Sequence, residues 1–252
     1  MTNMPKGNML EVRGVGKRFG GVVANHNISI DVPQGKIIGL IGPNGSGKTT
    51  LFNSIVGYHP LDDGNITFEG QEISNLRVPD IARLGLLRTF QQTRVYGKMT
   101  CVQNMQISMS NKATGLASMF HHFPKGEMDR VDSLLEFVGL YSKRNLVAGD
   151  LSFGQQKLLE FAMALMNEPK MLMLDEPTAG INPTLINGLI DRLKRANEEF
   201  GITLLVIEHN MRVIMNLAEN IYCLAHGELL AEGVPSEIQN DQRVIDAYLG
   251  AH

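Results

Sequence analysis

Residues 36–50 have the sequence Lys-Ile-Ile-Gly-Leu-Ile-Gly-Pro-Asn-Gly-Ser-Gly-Lys-Thr-Thr. The run from Lys36 to Ile41 is almost entirely apolar, as expected for a strand buried on both faces of a parallel sheet. It leads directly into the pattern G-x4-G-K-T at residues 42–49 and then into a helical sequence. Glycines in such a turn let successive backbone N–H groups point inward, where they bind phosphate. The stretch therefore predicts a phosphate-binding loop, and a chance glycine-rich turn is the alternative.

Each part of this loop has a predicted task in binding ATP. Lys48 can reach the β- and γ-phosphates, and the Thr49 hydroxyl can complete the coordination shell of Mg²⁺. The helix that we expect to begin near Lys48 adds the positive end of its dipole. The predicted nucleotide-binding residues of the loop are Gly42, Pro43, Asn44, Gly45, Ser46, Gly47, Lys48, Thr49 and Thr50.

Two further apolar runs predict the rest of a parallel sheet. Residues 171–174 and 203–207 resemble the run before the loop, and helical sequences separate the three. Such an alternation is typical of an α/β fold with helices on both faces of the sheet. The shorter runs 9–12 and 28–32 predict additional strands near the N-terminus. Residues 99–149 are mostly helical in character and predict a helical insertion.

Several helices follow from apolar spacing and stop signals. We predict helices over 156–166 and 191–200, with Gly201 ending the second. After His209 the chain predicts a helix to about residue 220, a hairpin over 221–233 and a last helix over 235–249.

Asp175 and Glu176 are two carboxylates at the end of an apolar run. We expect this strand to lie beside the strand of the phosphate-binding loop, so that both side chains point toward the γ-phosphate. Asp175 is then placed to hold Mg²⁺ through water, and Glu176 to orient and deprotonate the attacking water. A solvated strand end before the turn at Pro177 is the alternative.

The hexapeptide Leu-Ser-Phe-Gly-Gln-Gln at residues 151–156 precedes an amphipathic helix. Ser152 and Gly154 at a helix N-terminus would offer a hydroxyl and free amides to an anion. The chain would then contain two separate phosphate-binding sites, the glycine-rich loop and this helix start. Both are explained if two subunits bind ATP between them. An ordinary capped helix is the alternative for this segment alone.

Taken together, these motifs resemble the ATP-binding-cassette (ABC) family. The loop at 42–49, the signature at 151–156, the pair Asp175-Glu176 and the downstream His209 have the order and rough spacing of that family. The resemblance covers about residues 10–249. It implies a P-loop NTPase core with a parallel sheet, an N-terminal antiparallel β-subdomain and an inserted α-helical subdomain. As boundaries we predict one nucleotide-binding domain, with 1–92 and 160–252 as core and β-subdomain and 93–159 as helical subdomain.

The resemblance also implies roles for three further residues. Gln91 is similar to the Q-loop glutamine, which contacts Mg²⁺ or the attacking water. His209 is similar to the switch histidine that contacts the γ-phosphate, where a lone histidine would otherwise be structural. Phe19 holds the position of the aromatic residue that stacks on adenine, with core packing as the alternative.

The sequence departs from the family pattern at two positions. Phe153 stands in the signature where a second glycine is most common. Asn182 stands after Asp175-Glu176 where an aspartate is common, and an amide carries no charge across a dimer interface. These departures, with Ile-Glu-His at 207–209 and Ala-Tyr-Leu-Gly at 247–250, resemble the ATPases of branched-chain amino-acid (Liv-type) importers. Urea and amide importers share that subfamily, and lipopolysaccharide-export ATPases are somewhat similar.

The resemblance implies the partners as well. They are two integral-membrane permeases, a second ABC ATPase that is a paralogue or a second copy, and indirectly an extracytoplasmic substrate-binding protein. The expected location is peripheral, on the cytoplasmic face of the inner membrane. ATP hydrolysis in the ATPase dimer would drive transport through the permeases.

Composition limits the other classes of function. The 252 residues are 43% apolar and carry a formal net charge of -3, which argues against a non-specific nucleic-acid-binding protein. Cys101 and Cys223 are far apart and lack the spacing of metal ligands, so we expect both to be reduced thiols. Neither a signal peptide nor an apolar run of about 20 residues is evident, so we expect a membrane role to depend on partners.

Three rival classes remain at the level of sequence. A soluble cassette protein acting on ribosomes or DNA would tend to carry two cassettes or long coiled-coil insertions. A small-molecule P-loop kinase would need an arginine-bearing lid and would leave residues 151–156 unexplained. A non-catalytic cassette would not need Glu176 and His209.

Overall fold

A computed structural model of the protein describes residues 7–89, 95–109 and 125–249. The chain divides into two compact units. The first comprises residues 1–88, 170–178 and 193–252, and the second comprises residues 89–169 and 179–192. The boundaries predicted from the sequence at 92/93 and 159/160 stay a prediction.

The first unit contains a four-stranded antiparallel sheet in the order β2-β1-β4-β5. One face of this sheet is buried, as expected for an antiparallel sheet packed on a core, and its buried side chains include Leu10, Val12, Ile30 and Ile66. This sheet confirms the predicted N-terminal antiparallel β-subdomain. Its strands are β1 (Asn8–Phe19), β2 (Val22–Pro33), β4 (Asp63–Phe68) and β5 (Gln71–Glu72).

A six-stranded sheet forms the centre of the same unit, in the order β10-β9-β3-β8-β7-β6. All neighbouring strands pair in parallel except β9 and β10, which form an antiparallel hairpin. Every residue of β3, β7 and β8 is buried, which confirms the predicted two-sided parallel sheet. The strands are β3 (Ile37–Ile41), β6 (Leu86–Arg88), β7 (Met171–Asp175), β8 (Thr203–Ile207), β9 (Asn220–Ala225) and β10 (Glu228–Gly233).

The expectation that β7 lies directly beside β3 is wrong, because β8 lies between them. A parallel strand is reached by a crossover, and a crossover can pass over a neighbouring strand position that a later strand fills. The register nevertheless aligns the three strand ends, since Leu40 of β3 and Asp175 of β7 both stand opposite Ile207 of β8. The carboxyl ends of the strands therefore open at one edge.

Helices cover the central sheet and differ from the sequence-based bounds at three places. The helix predicted to begin at residue 191 begins at Pro183, because Asn182 Oδ1 accepts hydrogen bonds from the Thr184 backbone N–H and hydroxyl. The helix after His209 ends at Leu217, since the chain enters β9. The predicted last helix is two helices separated at Asp241. The bounds are α1 (Lys48–Ile55), α2 (Val78–Leu84), α6 (Pro183–Phe200), α7 (Met211–Leu217), α8 (Pro235–Asn240) and α9 (Gln242–Leu249).

The second unit is helical where the structure describes it, which confirms the predicted inserted α-helical subdomain. It contains α3 (Cys101–Ser108), α4 (Lys125–Phe137) and α5 (Phe153–Leu165), which pack against one another. Two short 3₁₀ turns, Tyr141–Lys143 and Ala148–Asp150, link α4 to α5. Across the described parts of both units, none of the helices has the length and apolar character needed to span a bilayer.

Candidate functional site

The glycine-rich loop turns sharply between β3 and α1. Gly42 has a φ of 145°, and a Cβ atom at this position would lie 2.1 Å from the Leu224 carbonyl oxygen. Gly47 has a φ of 97°, and a Cβ atom there would lie 2.3 Å from the Ala24 carbonyl oxygen. Both positions combine positive φ with a close backbone approach, which only glycine accommodates without strain. The loop that follows β3 is therefore held tightly at both ends.

Lys48 lies inside this loop. Its Nζ donates hydrogen bonds to the Gly42 carbonyl oxygen at 2.8 Å, to the Pro43 carbonyl oxygen at 2.9 Å and to Ser46 Oγ at 3.3 Å. Burial lowers the pKa of Lys48, and the nearby carboxylates of Glu176 and Asp175 act in the opposite direction. The loop thus contains an internal cation surrounded by carbonyl groups.

The exposed and buried parts of the loop differ in a way that suits anion binding. Ser46 and Lys48 are buried, whereas Asn44, Gly45 and Thr49 are exposed at the surface. Thr49 belongs to the first turn of α1, whose backbone N–H groups have no partner within the helix. The loop therefore places Asn44, Gly45 and Thr49 at its surface, with the Lys48 side chain buried behind them.

Three contacts that the sequence did not reveal brace the loop. Asn25 Nδ2 donates to the Gly47 carbonyl oxygen at 3.1 Å, and the Gly227 N–H donates to the Ser46 carbonyl oxygen at 3.2 Å. The Gly42 N–H donates to the Tyr248 hydroxyl at 2.8 Å. Asn25 is 1% exposed, and a buried polar side chain needs a hydrogen-bond partner. Its burial is evident only in the structure, so the sequence alone did not indicate this contact.

Asp175 is the last residue of β7, and its side chain is fully buried. Arg88, the last residue of β6, donates from Nη2 to Asp175 Oδ2 at 2.5 Å and from Nη1 to Asn53 Oδ1 at 2.5 Å. Among the described residues, Asp175 Oδ1 has no hydrogen-bond partner. Sequence reasoning missed Arg88, although a basic residue at the end of an apolar strand is a signal that could have indicated a buried ion pair.

The structure brings Glu176 and His209 together. Glu176 has a φ of 50° and donates its N–H to the Ile207 carbonyl oxygen at 2.9 Å. Its Oε1 lies 2.8 Å from His209 Nε2, which is hydrogen-bonding distance. A positive φ in a glutamate is uncommon and places its side chain away from the path of β7. The carboxylate and the imidazole thus face each other at the carboxyl edge of the sheet.

Glu208 joins the segments that follow β7 and β8. It is 2% exposed, and its Oε1 accepts hydrogen bonds from the Thr178 N–H at 2.9 Å and the Thr178 hydroxyl at 2.6 Å. Its Oε2 accepts from the Asn210 N–H at 3.4 Å. Sequence reasoning also missed this residue, which fixes the backbone on either side of His209.

Phe19 ends β1 with its side chain at the surface. The residue is 45% exposed, and its ring lies 5.2 Å from the His59 ring in an edge-on arrangement. Lys17 Nζ lies 5.4 Å from the ring centroid. Phe19 is therefore not a core residue, and its ring is available for stacking.

Ser152 caps α5 in the second unit. Its hydroxyl accepts from the Gln155 N–H at 3.4 Å, while its own N–H donates to Gln155 Oε1 at 3.1 Å. Gly154 is buried, and a Cβ atom there would lie 3.0 Å from Leu185 Cδ1. Phe153 is 45% exposed at the surface. The predicted residue Gln91 lies outside the described residues.

A central parallel strand that runs into a glycine-rich loop and a helix N-terminus is the fold of a P-loop nucleotide-binding protein. The family model described as "ABC transporter" matches residues 25–179, and the model described as "Branched-chain amino acid ATP-binding cassette transporter" matches residues 228–252. The first matched range includes the glycine-rich loop and the signature, and the second includes the C-terminal helices.

Individual relatives agree with the family models. The chain is 38% identical over 249 residues to the high-affinity branched-chain amino acid transport ATP-binding protein LivG of Salmonella typhimurium, covering 96% of this chain and 98% of LivG. It superimposes on the ADP conformation of MJ1267, an ATP-binding cassette of an ABC transporter, with a TM-score of 0.85, 33% identity and coverage of 96% and 99%. A dimeric post-hydrolysis structure of the cassette MJ0796 bound to ADP and Pi gives a TM-score of 0.75, 25% identity and coverage of 90% and 99%.

The chain therefore belongs to the ABC transporter family, and it is a nucleotide-binding ATPase of that family.

Proposed function

We propose that this ATPase is the ATP-binding subunit of an importer of branched-chain amino acids. The observation that carries the proposal is the similarity to LivG, at 38% identity over 98% of that protein. The match of residues 228–252 to the C-terminal model of branched-chain amino acid cassettes supports the same subfamily. ATP hydrolysis by this chain would drive uptake through separate permeases.

In this proposal the loop at 42–49 and Thr50 bind the phosphates of ATP. Backbone N–H groups of the loop and the helix dipole of α1 would attract the anion. Lys48 would turn part of its hydrogen bonding from the loop carbonyls to the phosphate oxygens. The exposed ring of Phe19 would stack on the adenine.

The residues present fit a Mg²⁺ ion beside these phosphates. Asp175 Oδ1 is a buried oxygen that lacks a partner among the described residues, and the Thr49 hydroxyl is exposed. Hard oxygen donors of this kind suit Mg²⁺. We propose Thr49, Asp175 and Gln91 as the residues that hold it, directly or through water. When bound, Mg²⁺ neutralises charge on the phosphate oxygens.

Glu176, His209 and Gln91 are the proposed catalytic residues. Glu176 would accept a proton from the attacking water, because a carboxylate at hydrogen-bonding distance from water can act as a general base. His209 lies 2.8 Å from Glu176 and would orient that carboxylate and contact the γ-phosphate. Glu208 supports this arrangement by holding the backbone before Asn210.

We further propose that two ATPase chains form the active unit. Ser152 and Gly154 of one chain would bind the nucleotide held by the phosphate loop of the other. The dimeric MJ0796 structure supports such an arrangement by similarity. The second chain is a paralogue or another copy of this one.

The proposed membrane partners are two integral-membrane permeases, served by an extracytoplasmic substrate-binding protein. The ATPase would then act as a peripheral protein on the cytoplasmic face of the inner membrane. Its helical unit would pass the movement of ATP binding and release to the permeases.

The first test is co-purification from native membranes. Tagged full-length chain is extracted under gentle conditions, and the captured proteins are identified by mass spectrometry. We expect two multispanning permeases and a second cassette ATPase. Capture only from the soluble fraction, together with ribosomal or DNA-associated proteins, would refute the transport proposal and leave the ATPase assignment intact.

The second test addresses the substrate. The captured complex is placed in liposomes with its binding protein, and uptake of labelled leucine, isoleucine and valine is compared with uptake of urea and acetamide. We expect ATP-dependent uptake of the branched-chain amino acids, abolished by Lys48→Ala in the same complex. Uptake of urea or amide alone would refute the amino-acid assignment.

A further inference from the structure

The last described helix reaches the phosphate-binding loop through one side chain. Tyr248 lies on α9, and its hydroxyl accepts the hydrogen bond of the Gly42 N–H at 2.8 Å. The two residues are 206 positions apart in the sequence. The contact joins the C-terminal segment to the first residue of the loop.

The peptide groups of Gly42 connect this contact to Lys48. The Gly42 N–H binds Tyr248, and the Gly42 carbonyl oxygen accepts a hydrogen bond from Lys48 Nζ at 2.8 Å. A third constraint is the Leu224 carbonyl oxygen, which leaves no room for a side chain at Gly42. A shift of the Tyr248 hydroxyl would therefore be passed through one residue to the ammonium that the phosphate needs.

The tyrosine is suited to this contact. A tyrosine hydroxyl is neutral at physiological pH, and burial raises the pKa of Tyr248 further, to about 12. A neutral hydroxyl accepts the Gly42 N–H without placing a negative charge beside the phosphates.

The helix α9 is short and has little buried surface of its own. It has eight residues, of which Val244 is buried and Leu249 is 69% exposed. A groove of about 560 Å³ runs along it, lined by Met211, Met215, Ile238, Val244 and Tyr248 among others. Helices of this length are not stable alone, so tertiary contacts such as the one with Gly42 hold it in place.

We infer that Tyr248 is a positioning residue of the nucleotide site, which couples the C-terminal helix α9 to nucleotide binding through Gly42 and Lys48. The inference rests on the proposed role of residues 42–49 in binding phosphate. By reciprocity, a nucleotide that orders the loop must also stabilise α9.

The chain offers a matched control for the hydroxyl. Tyr222 is 3% exposed, and its hydroxyl bonds to the Asp31 N–H and carbonyl oxygen, both at 3.1 Å. Tyr248→Phe and Tyr222→Phe each remove a hydroxyl that is hydrogen-bonded to the backbone and keep the ring. Both variants should lose similar stability, and only Tyr248→Phe should weaken nucleotide binding.

The experiment measures the Kd of ADP carrying a fluorescent N-methylanthraniloyl group, with and without Mg²⁺, on full-length protein. We expect Tyr248→Phe to raise the Kd roughly three- to tenfold, as the loss of one hydrogen bond allows. Tyr222→Phe should change this Kd by less than about twofold, because its hydroxyl does not contact the phosphate-binding loop. Lys48→Ala serves as the reference for the loop itself.

Hydrogen exchange of residues 242–249 provides a readout that a purely structural role would not change. In the wild type, ADP should slow exchange in α9, and this effect should be lost in Tyr248→Phe. Measurement on the wild type alone suffices if the variant does not fold.

Two results would overturn the inference while leaving the proposed function in place. They are an unchanged Kd in Tyr248→Phe while Lys48→Ala binds weakly, and equal weakening by both tyrosine variants. Unchanged exchange of α9 in the wild type on adding ADP would overturn it as well. If Lys48→Ala binds normally, the proposed phosphate loop fails and the inference fails with it.

Discussion

Replacing Arg88 by methionine removes the guanidinium from a buried ion pair and keeps an apolar side chain of similar length. The pair joins Arg88 Nη2 to Asp175 Oδ2 at 2.5 Å, and the two side chains are 8% and 0% exposed. In the variant, Asp175 would keep its buried carboxylate without this cation. Asn53 Oδ1 would also lose the hydrogen bond from Nη1.

The expected cost follows from this burial. Removing one partner of a buried ion pair costs about 3–5 kcal/mol, since the other charge is left uncompensated. For a domain of this size a loss of 1 kcal/mol lowers Tm by about 2–4 °C, so we expect a decrease of roughly 6–20 °C. We expect Tm to decrease whether or not nucleotide is bound, and Tm is measured without nucleotide.

The free energy of unfolding is measured by urea titration monitored by far-UV circular dichroism, and Tm is measured by calorimetry. Lys36→Met is the matched control, because Lys36 pairs with Glu219 at 2.6 Å while the side chains are 51% and 46% exposed. That exposed pair should contribute less than about 1 kcal/mol. The double variant Arg88→Met with Asp175→Asn should recover part of the loss, with a coupling of about 1 kcal/mol or more.

A loss in Arg88→Met no larger than that in Lys36→Met would refute this reasoning. Strict additivity in the double variant would refute it as well, because the two residues would then not act as a pair. Either result would mean that the Asp175 carboxylate is not left as an uncompensated buried charge when Arg88 is removed.

Two further predictions concern the site, and a third concerns a buried thiol of β9. Glu176→Gln should bind ATP and dimerise but lose turnover by roughly 10²–10⁴-fold, the usual contribution of a general base; near-normal hydrolysis in a phosphate-release assay would remove Glu176 from that role. Lys48→Ala should weaken binding of the fluorescent ADP by about tenfold or more, since hydrogen bonds to charged groups contribute about 1.5–3 kcal/mol; unchanged affinity would contradict the phosphate-binding loop. Burial raises the pKa of Cys223 to about 11, so its thiol should react with iodoacetamide at pH 8 far more slowly in the native protein than after unfolding; fast native labelling, measured by mass spectrometry, would contradict the buried position.

Local patterns were sufficient to predict the elements that carry the site. The loop after β3 was evident because its glycines are needed for backbone conformations that few other residues adopt. Ser152 was predicted at a helix start, and it forms a capping box with Gln155. The burial of β3, β7 and β8 on both faces was predicted because their apolar runs are continuous, whereas a strand with one exposed face alternates apolar and polar residues.

Bounds that depend on competing local signals were predicted less well. The helix α6 begins at Pro183, earlier than its apolar spacing indicated, because Asn182 caps it. The C-terminal helix divides at Asp241, whose carboxylate accepts the Arg243 N–H and starts α9. A single side-chain hydrogen bond decides each of these ends, and such bonds are weak signals in a sequence.

The class of the fold, the loop, the carboxylate pair and the capped signature helix depend on neighbouring residues and on backbone preferences, so local sequence patterns specify them. The order of the strands, with β8 between β3 and β7, and the partners of the buried polar groups depend on how distant segments pack. Arg88 meets Asp175 across 87 positions, and Tyr248 meets Gly42 across 206. A buried polar atom takes whichever partner the packed backbones bring within hydrogen-bonding distance, and no local pattern specifies that distance.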